Sequence, residues 1–255
     1  MPIEIITIPC LADNYAFLVH DDTTGETALV DAPEAAPILS ALTEKGWTLS
    51  EIWITHHHFD HVQGVAEILA AYPAKVRGAA ADQHRLPPLD IALEEGEEFT
   101  FAGQPVRVLD VSGHTLGHIA FYMPDSDAVF TADSLMALGC GRLTEGTAEQ
   151  MWESLSKIAA LPPNTTVFSG HEYTGNNARF ALTIEPDNEE LILRSRSVEQ
   201  ARAQNQPTVP SLLSLELATN PFLRASNASV RENLDMQGAS DVEVFAEVRS
   251  RKDAF

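Results

Sequence analysis

Apolar runs of two kinds alternate along the first two-thirds of the chain. Stretches rich in β-branched and aromatic residues at Ile3–Ile8, Tyr15–His20, Thr27–Val30, Glu51–Thr55, Lys75–Arg77, Val106–Val111, Ile119–Met123, Val129–Thr131 and Thr166–Phe168 predict strands. Between them, Glu34–Lys45, Gly64–Ala71 and Ala148–Ala160 carry apolar residues at helical spacing. In the last of these, Met151, Leu155 and Ile158 share one face behind a Thr147 cap. Strands interleaved with helices predict an α/β core of layered sheets. After about Tyr173 the texture becomes helical, over Asn176–Thr183, Asn188–Gln204, Val209–Ala218 and Asp241–Lys252. The pattern therefore predicts two domains, residues 1–172 with the layered sheets and residues 173–255 as a small helical domain. Pro207, Pro210 and Pro221 read as turns or helix starts within it.

The pattern breaks hardest after the apolar stretch Ile52-Trp53-Ile54. There Thr55-His56-His57-His58-Phe59-Asp60-His61 sets ligand-type side chains into one short turn. Histidine and aspartate neither pack well nor propagate a strand. Imidazole and carboxylate donors without thiolate are the ligand set of hydrolytic divalent metals, zinc foremost, with iron and manganese also suited. Three more candidates stand at the ends of predicted strands. Val106–Val111 leads through Ser112-Gly113 to His114, Ala128–Ala132 leads to Asp133, and Val167–Ser169 leads through Gly170 to His171. Strand ends in layered α/β folds form one face where loops converge, so side chains remote in sequence can meet there.

Composition narrows the function. The 255 residues carry a formal charge of −21, and no stretch is strongly basic, which argues against nucleic acid as a partner. The 44% hydrophobic content is that of a soluble globule. Cys10 and Cys140 lie too far apart in sequence to suggest a disulfide framework, and a reducing cytoplasm is the expected location. The opening Met1-Pro2-Ile3-Glu4 has no cationic leader of an export signal, and no stretch is long enough to span a membrane. The expected assembly is a monomer or a weak homo-oligomer.

The chain closely resembles the metallo-β-lactamase superfamily, and within it the glyoxalase II family, the hydroxyacylglutathione hydrolases. The matching stretches are Thr55–His61, Ser112-Gly113-His114-Thr115-Leu116-Gly117-His118, Phe130–Leu135, Gly139–Thr147, Gly170-His171-Glu172-Tyr173-Thr174 and Arg249 to Phe255. The resemblance implies an αββα sandwich with a small helical C-terminal domain. It gives His56, His58 and His114 to one divalent ion and Asp60, His61 and His171 to a second, with Asp133 shared between them. Asp60 and Asp133 thereby become the catalytic carboxylates. It also implies that Arg142, Tyr173, Arg249 and Lys252 contact the glutathione of a thioester substrate, S-D-lactoylglutathione being typical. The activity implied is hydrolysis to glutathione and a 2-hydroxy acid, the second step of methylglyoxal detoxification. Thr144, where many relatives carry an aromatic residue, and Ala132, where they usually carry glycine, depart from the pattern.

The remaining candidates have other readings. Alternation along an extended turn points His57 away from its neighbours, so it takes no ligand role. His118 is expected to support a ligand by hydrogen bonding, and Asp31 either orients a ligand imidazole or caps the turn before Pro33. His20 and His84 read as surface or turn residues. Cys140, with no base nearby, reads as small packing. The rival functions are a lactonase or other small-ester hydrolase on the same metal centre, and a noncatalytic metal-binding protein.

Overall fold

The computed structural model describes residues 3–255; Met1 and Pro2, with which the reading of the N-terminus begins, lie outside the described residues. The chain divides into two compact units. The first comprises the residues up to Asp110 together with Leu116–Phe130, and the second comprises Val111–Thr115 with Thr131–Phe255.

The first unit opens with strands β1 (Glu4–Cys10), β2 (Asn14–His20) and β3 (Thr27–Val30), antiparallel in order, followed by helix α1 (Ala35–Lys45). β4 (Glu51–Trp53) then adds in parallel to β3. After the short helix α2 (Phe59–Val62) and helix α3 (Val65–Ala71), β5 (Lys75–Ala79) and β6 (Ile91–Leu93) extend the parallel side. The result is a six-stranded sheet in chain order. Crossing helices cover one face, where Ile38 and Leu42 of α1 and Ile68 of α3 bury against Leu18, Leu29 and Ile52. Truncating any of these fully buried side chains to alanine costs about 2–5 kcal/mol.

β7 (Glu98–Phe101), β8 (Gln104–Asp110), β9 (Ile119–Met123) and β10 (Ala128–Ala132) pair antiparallel in sequence. This second layer packs on the other face of the six-stranded sheet through aromatic contacts. Trp53 meets Phe99 and Phe101 edge-on, with centroids 5.3 and 5.1 Å apart, and Phe121 at 5.4 Å. Edge-to-face pairs of this kind add about 0.5–1.5 kcal/mol beyond the area they bury.

In the second unit the chain forms the hairpin β11 (Leu135–Met136) and β12 (Gly139–Cys140), then helix α4 (Ala148–Ala159) and β13 (Thr166–Ser169). Thr147 caps α4 with a full capping box. Helices α5 (Thr174–Ile184) and α6 (Glu189–Ala203), strand β14 (Ser211–Leu212) and helices α7 (Leu213–Thr219), α8 (Ala228–Asn233) and α9 (Asp241–Ala254) complete the chain. Phe222 stacks on Phe180 and meets Phe245, which packs on Trp152 of α4. The fully buried Glu216 of α7 ties this unit together. It accepts from the Leu138 amide at 2.9 Å, the Ser211 hydroxyl at 2.6 Å, Asn220 Nδ2 at 3.1 Å and the Arg194 guanidinium.

Three features differ from the sequence expectations. β6 and the hairpin β11–β12 are apolar but only two or three residues long, too short to show a period, and β7 begins at the end of the acidic stretch Glu94–Glu98. The segment from Val209 does not begin as helix: Ser211 and Leu212 pair with Val167 and Thr166 as β14, and the helix starts at Leu213. His20 is buried rather than at the surface, stacked on Trp47 at 4.0 Å and bonded to Thr27 at 2.8 Å. Among the described residues no helix is long and apolar enough to cross a membrane.

Candidate metal centre and anion-binding residues

In the first unit the parallel strands deliver chemistry at their C-terminal ends. β3 runs into Asp31, and β4 into Thr55 and His56. In the stretch from Thr55 to His58 the rings of His56 and His58 lie 4.8 Å apart, and the His57 ring lies 4.9 Å from that of His58 while its Nδ1 meets Asp82 at 3.0 Å. α2 then begins, placing Asp60 and His61 in its one turn. The His61 ring lies 4.2 Å from that of His56, and its Nε2 lies 3.9 Å from Asp60 Oδ2. His56 and His61 are fully buried.

The protonation of these rings follows from their partners. His61 Nδ1 lies 2.8 Å from Asp31 Oδ2; a carboxylate only accepts, so Nδ1 carries the proton. The Thr55 hydroxyl donates its proton to Asp31 Oδ2 at 2.8 Å, so it can only accept from His56 Nδ1, 3.0 Å away. Both rings therefore present Nε2 as a lone pair, the arrangement that metal-ligating imidazoles use. The other Asp31 oxygen accepts from the Thr55 amide at 2.9 Å, so one carboxylate sets the backbone and both rings. Donor atoms of Asp31, His56 and His61 fall within 4.8 Å of one another, but Asp31 is committed to this orienting work. Asn14, which sequence reasoning missed, donates from Nδ2 to Asp60 Oδ2 at 3.0 Å and to the Asp60 carbonyl at 3.1 Å.

In the second unit Asp133 stands just past the end of β10. The chain turns there with Ala132 at φ 41°, and the Gly170 amide donates to the Ala132 carbonyl at 3.0 Å. That bond brings the end of β13, and so His171, beside Asp133. His114 arrives from the Ser112-Gly113 turn. Asp133 Oδ2 lies 3.5 Å from His114 Nε2 and 3.3 Å from His171 Nε2. Gly141 is required here, because a Cβ on it would fall 1.9 Å from the Asp133 carbonyl oxygen and 3.1 Å from His114 Cβ.

His114 Nδ1 donates to the Arg142 carbonyl at 2.8 Å, which fixes its tautomer and leaves Nε2 as an acceptor aimed toward a carboxylate oxygen. Two acceptors converging in this way repel unless a cation or a proton stands between them. Imidazole and carboxylate donors that converge with Nε2 lone pairs suit a divalent ion. The donor set thus fits the metal that the sequence predicts. The loop Arg142–Thr144 was expected near substrate. It grips His114, since the Thr144 hydroxyl also donates to the His114 carbonyl.

The remaining predicted residues are also in the second unit. The Tyr173 ring stacks on His171 at 4.7 Å and is partly exposed. Arg249 is buried and donates to the Cys140 carbonyl at 3.1 Å and to Asp253 at 2.8 Å. Lys252 has its ammonium 5.2 Å from the ring centroids of both Phe180 and Phe255. Burial, then the positive charges of Arg249, Arg179 and Arg142, push the Lys252 ammonium down to about 8. Such a cluster of cations favours an anion. Burial pushes the Cys140 thiol up to about 11, which removes it as a nucleophile, in keeping with its reading as packing.

This fold, with an imidazole–carboxylate cluster in each unit, is that of a metallo-β-lactamase-type α/β protein. The metallo-beta-lactamase superfamily model matches residues 13–171, and the model for the hydroxyacylglutathione hydrolase C-terminus matches residues 172–255. The chain is 69% identical to a hydroxyacylglutathione hydrolase of Roseobacter denitrificans and 63% identical to one of Ruegeria pomeroyi, in each case over all of both chains. Among solved structures it is similar to TTHA1623 in a di-iron-bound form, with a TM-score of 0.61 and 26% identity over 86% of this chain and all of that one. The chain belongs to the hydroxyacylglutathione hydrolase family, with the α/β sandwich and C-terminal helices of that family.

Proposed function

We propose that the protein hydrolyses S-(2-hydroxyacyl)glutathione thioesters, typically S-D-lactoylglutathione, to glutathione and a 2-hydroxy acid. In this reading His56, His58 and His114 hold one divalent ion and Asp60, His61 and His171 a second, with Asp133 shared. Zinc suits the ligands best, and iron or manganese are accommodated. The similar di-iron protein is consistent with a pair of ions. The observation that carries the reading is Asp133 Oδ2 lying within 3.5 Å of both His114 Nε2 and His171 Nε2.

Divalent ions bound by such ligands lower the pKa of water toward about 7 and withdraw charge from an acyl oxygen. The chain's own residues do the rest. Asp31, Thr55 and the Arg142 carbonyl hold the imidazoles in the Nε2-ligating tautomer, and Asn14 holds Asp60. Asp60 and Asp133 place negative charge that keeps the cations in place. Lys252 and the neighbouring arginines offer charge to the glutathione carboxylates, and the half-exposed Tyr173 ring offers a flat contact beside His171. The leaving thiolate has a conjugate-acid pKa near roughly 8.5, so no protein acid is needed at the sulfur.

Residues 1–172 would form the metal-binding part and residues 173–255 the glutathione-binding part. The two buried cysteines, both free, suit a cytoplasmic enzyme acting as a monomer or weak homo-oligomer, with neither nucleic acid nor membrane as partner. To test the activity, zinc-, iron- or manganese-loaded protein is incubated with S-D-lactoylglutathione and free thiol is followed. Turnover should vanish in an Asp133→Ala variant, and wild-type activity no greater than that variant's would refute the proposal. Turnover of a lactone but not of the thioester would favour the lactonase alternative. Two tightly held ions without any hydrolysis would favour a binding protein.

A further inference from the structure

The sequence leaves His57 without a task, and the structure gives its ring a partner remote in the chain. His57 Nδ1 lies 3.0 Å from Asp82 Oδ2; the carboxylate accepts, so Nδ1 donates. Asp82 is 2% exposed, in the short turn after β5. Its other oxygen accepts from the Arg85 guanidinium, with Nε at 3.1 Å and Nη2 bonded as well. The same carboxyl group rests against a second loop. A Cβ on Gly117 would fall 2.2 Å from Asp82 Cγ, so the chain passes at a distance that only glycine permits. The next residue, His118, is fully buried, and its ring stacks on His56 at 4.5 Å with planes 10° apart. One buried carboxylate therefore touches both the turn that carries His56 and His58 and the loop whose His118 backs the His56 ring.

We propose that Asp82 is a positioning residue that acts through His57 and Gly117. It fixes the rotation of the extended stretch from Thr55 to His58, and with it the aim of His56 and His58. The physical reason is contact. With His57 tied to Asp82 and its ring edge-on to that of His58 at 4.9 Å, the main chain between His56 and His58 and the His58 ring are held together. Releasing His57 frees the stretch to roll about its axis, and both imidazoles move together. Arg85, bonded to the other carboxylate oxygen, keeps Asp82 oriented for this work. The proposal rests on the metal-centre reading of His56 and His58.

The test uses the full-length protein loaded with zinc. Zinc affinity is measured by competition with a chromophoric chelator, alongside the urea midpoint and thioester turnover. Asp82→Ala and His57→Leu should each weaken zinc binding by about 10- to 100-fold and lower kcat with little change in KM. Gly117→Ala, which displaces the carboxyl by steric means, should do the same. His57→Gln, whose side-chain amide can still donate to Asp82, should recover a large part of what His57→Leu loses. The partly exposed His57 keeps the test usable if Asp82→Ala fails to fold. Lower urea midpoints with wild-type zinc affinity would overturn the positioning role, as would equal loss in His57→Gln and His57→Leu. Wild-type protein that takes up no metal would instead overturn the metal-centre reading, and this inference with it.

Discussion

His61 donates from Nδ1 to Asp31 at 2.8 Å, and the same Asp31 oxygen takes the hydroxyl proton of Thr55, which in turn receives Nδ1 of His56. Two buried imidazoles thus owe their tautomer to one carboxylate, held at φ 57° just past β3. Replacing Asp31 with alanine should weaken metal binding by about 10- to 100-fold, measured by chelator competition. Asp31→Asn should fall between alanine and wild type, since its amide oxygen can still accept.

Gly141 tolerates no side chain. With a Cβ 1.9 Å from the Asp133 carbonyl, Gly141→Ala must push away either Asp133 or the loop that grips His114. The expected outcome is loss of bound metal in elemental analysis and a fall of at least about 100-fold in kcat, with helix content by circular dichroism retained.

The lowered Lys252 gives a pH signature. Its ordinary value is 10.5, and in the folded protein it falls to about 8, so the neutral form is favoured by folding. Between those values the unfolded chain binds more protons than the folded one, and stability should rise with pH across about 8 to 10.5. On the proposed reading recognition runs the opposite way, because a glutathione carboxylate would need the ammonium. KM for the thioester should therefore rise above pH 8 while kcat stays level, and Lys252→Met should show a high KM without that rise.

Glu216 is a structural centre rather than a chemical one. Glu216→Ala strands the Arg194 guanidinium and the Leu138 amide in a buried site, at a cost of about 3–5 kcal/mol. The urea midpoint should drop accordingly. A Glu216→Gln variant should lose less, since it keeps an acceptor for the Leu138 amide.

Much of this was legible in the chain itself. Strands such as Thr27–Val30 and Ile119–Met123 read correctly to the residue, because each is a short, near-continuous apolar run, ended by Asp31 in one case and by Pro124 in the other. The same holds for α4, whose Thr147 cap and apolar face are local signals. The candidate ligands were legible because imidazoles and carboxylates at strand ends have no packing use. The strands β6, β7 and β14 were not, because their pairing partners rather than their own periodicity make them strands.

What the sequence determined by itself was the order of elements and the donor types, since these depend on side-chain chemistry and on spacings of a few residues. What the tertiary structure decided was who holds each donor in place. Asn14 meets Asp60 across 46 positions, Asp31 meets His61 across 30, and the Arg142 carbonyl meets His114 across 28. A main-chain oxygen carries no residue-type signature, and a contact over such separations exists only once the strands have paired. The tautomer of each imidazole, and hence its fitness for a metal, is a property of the folded chain.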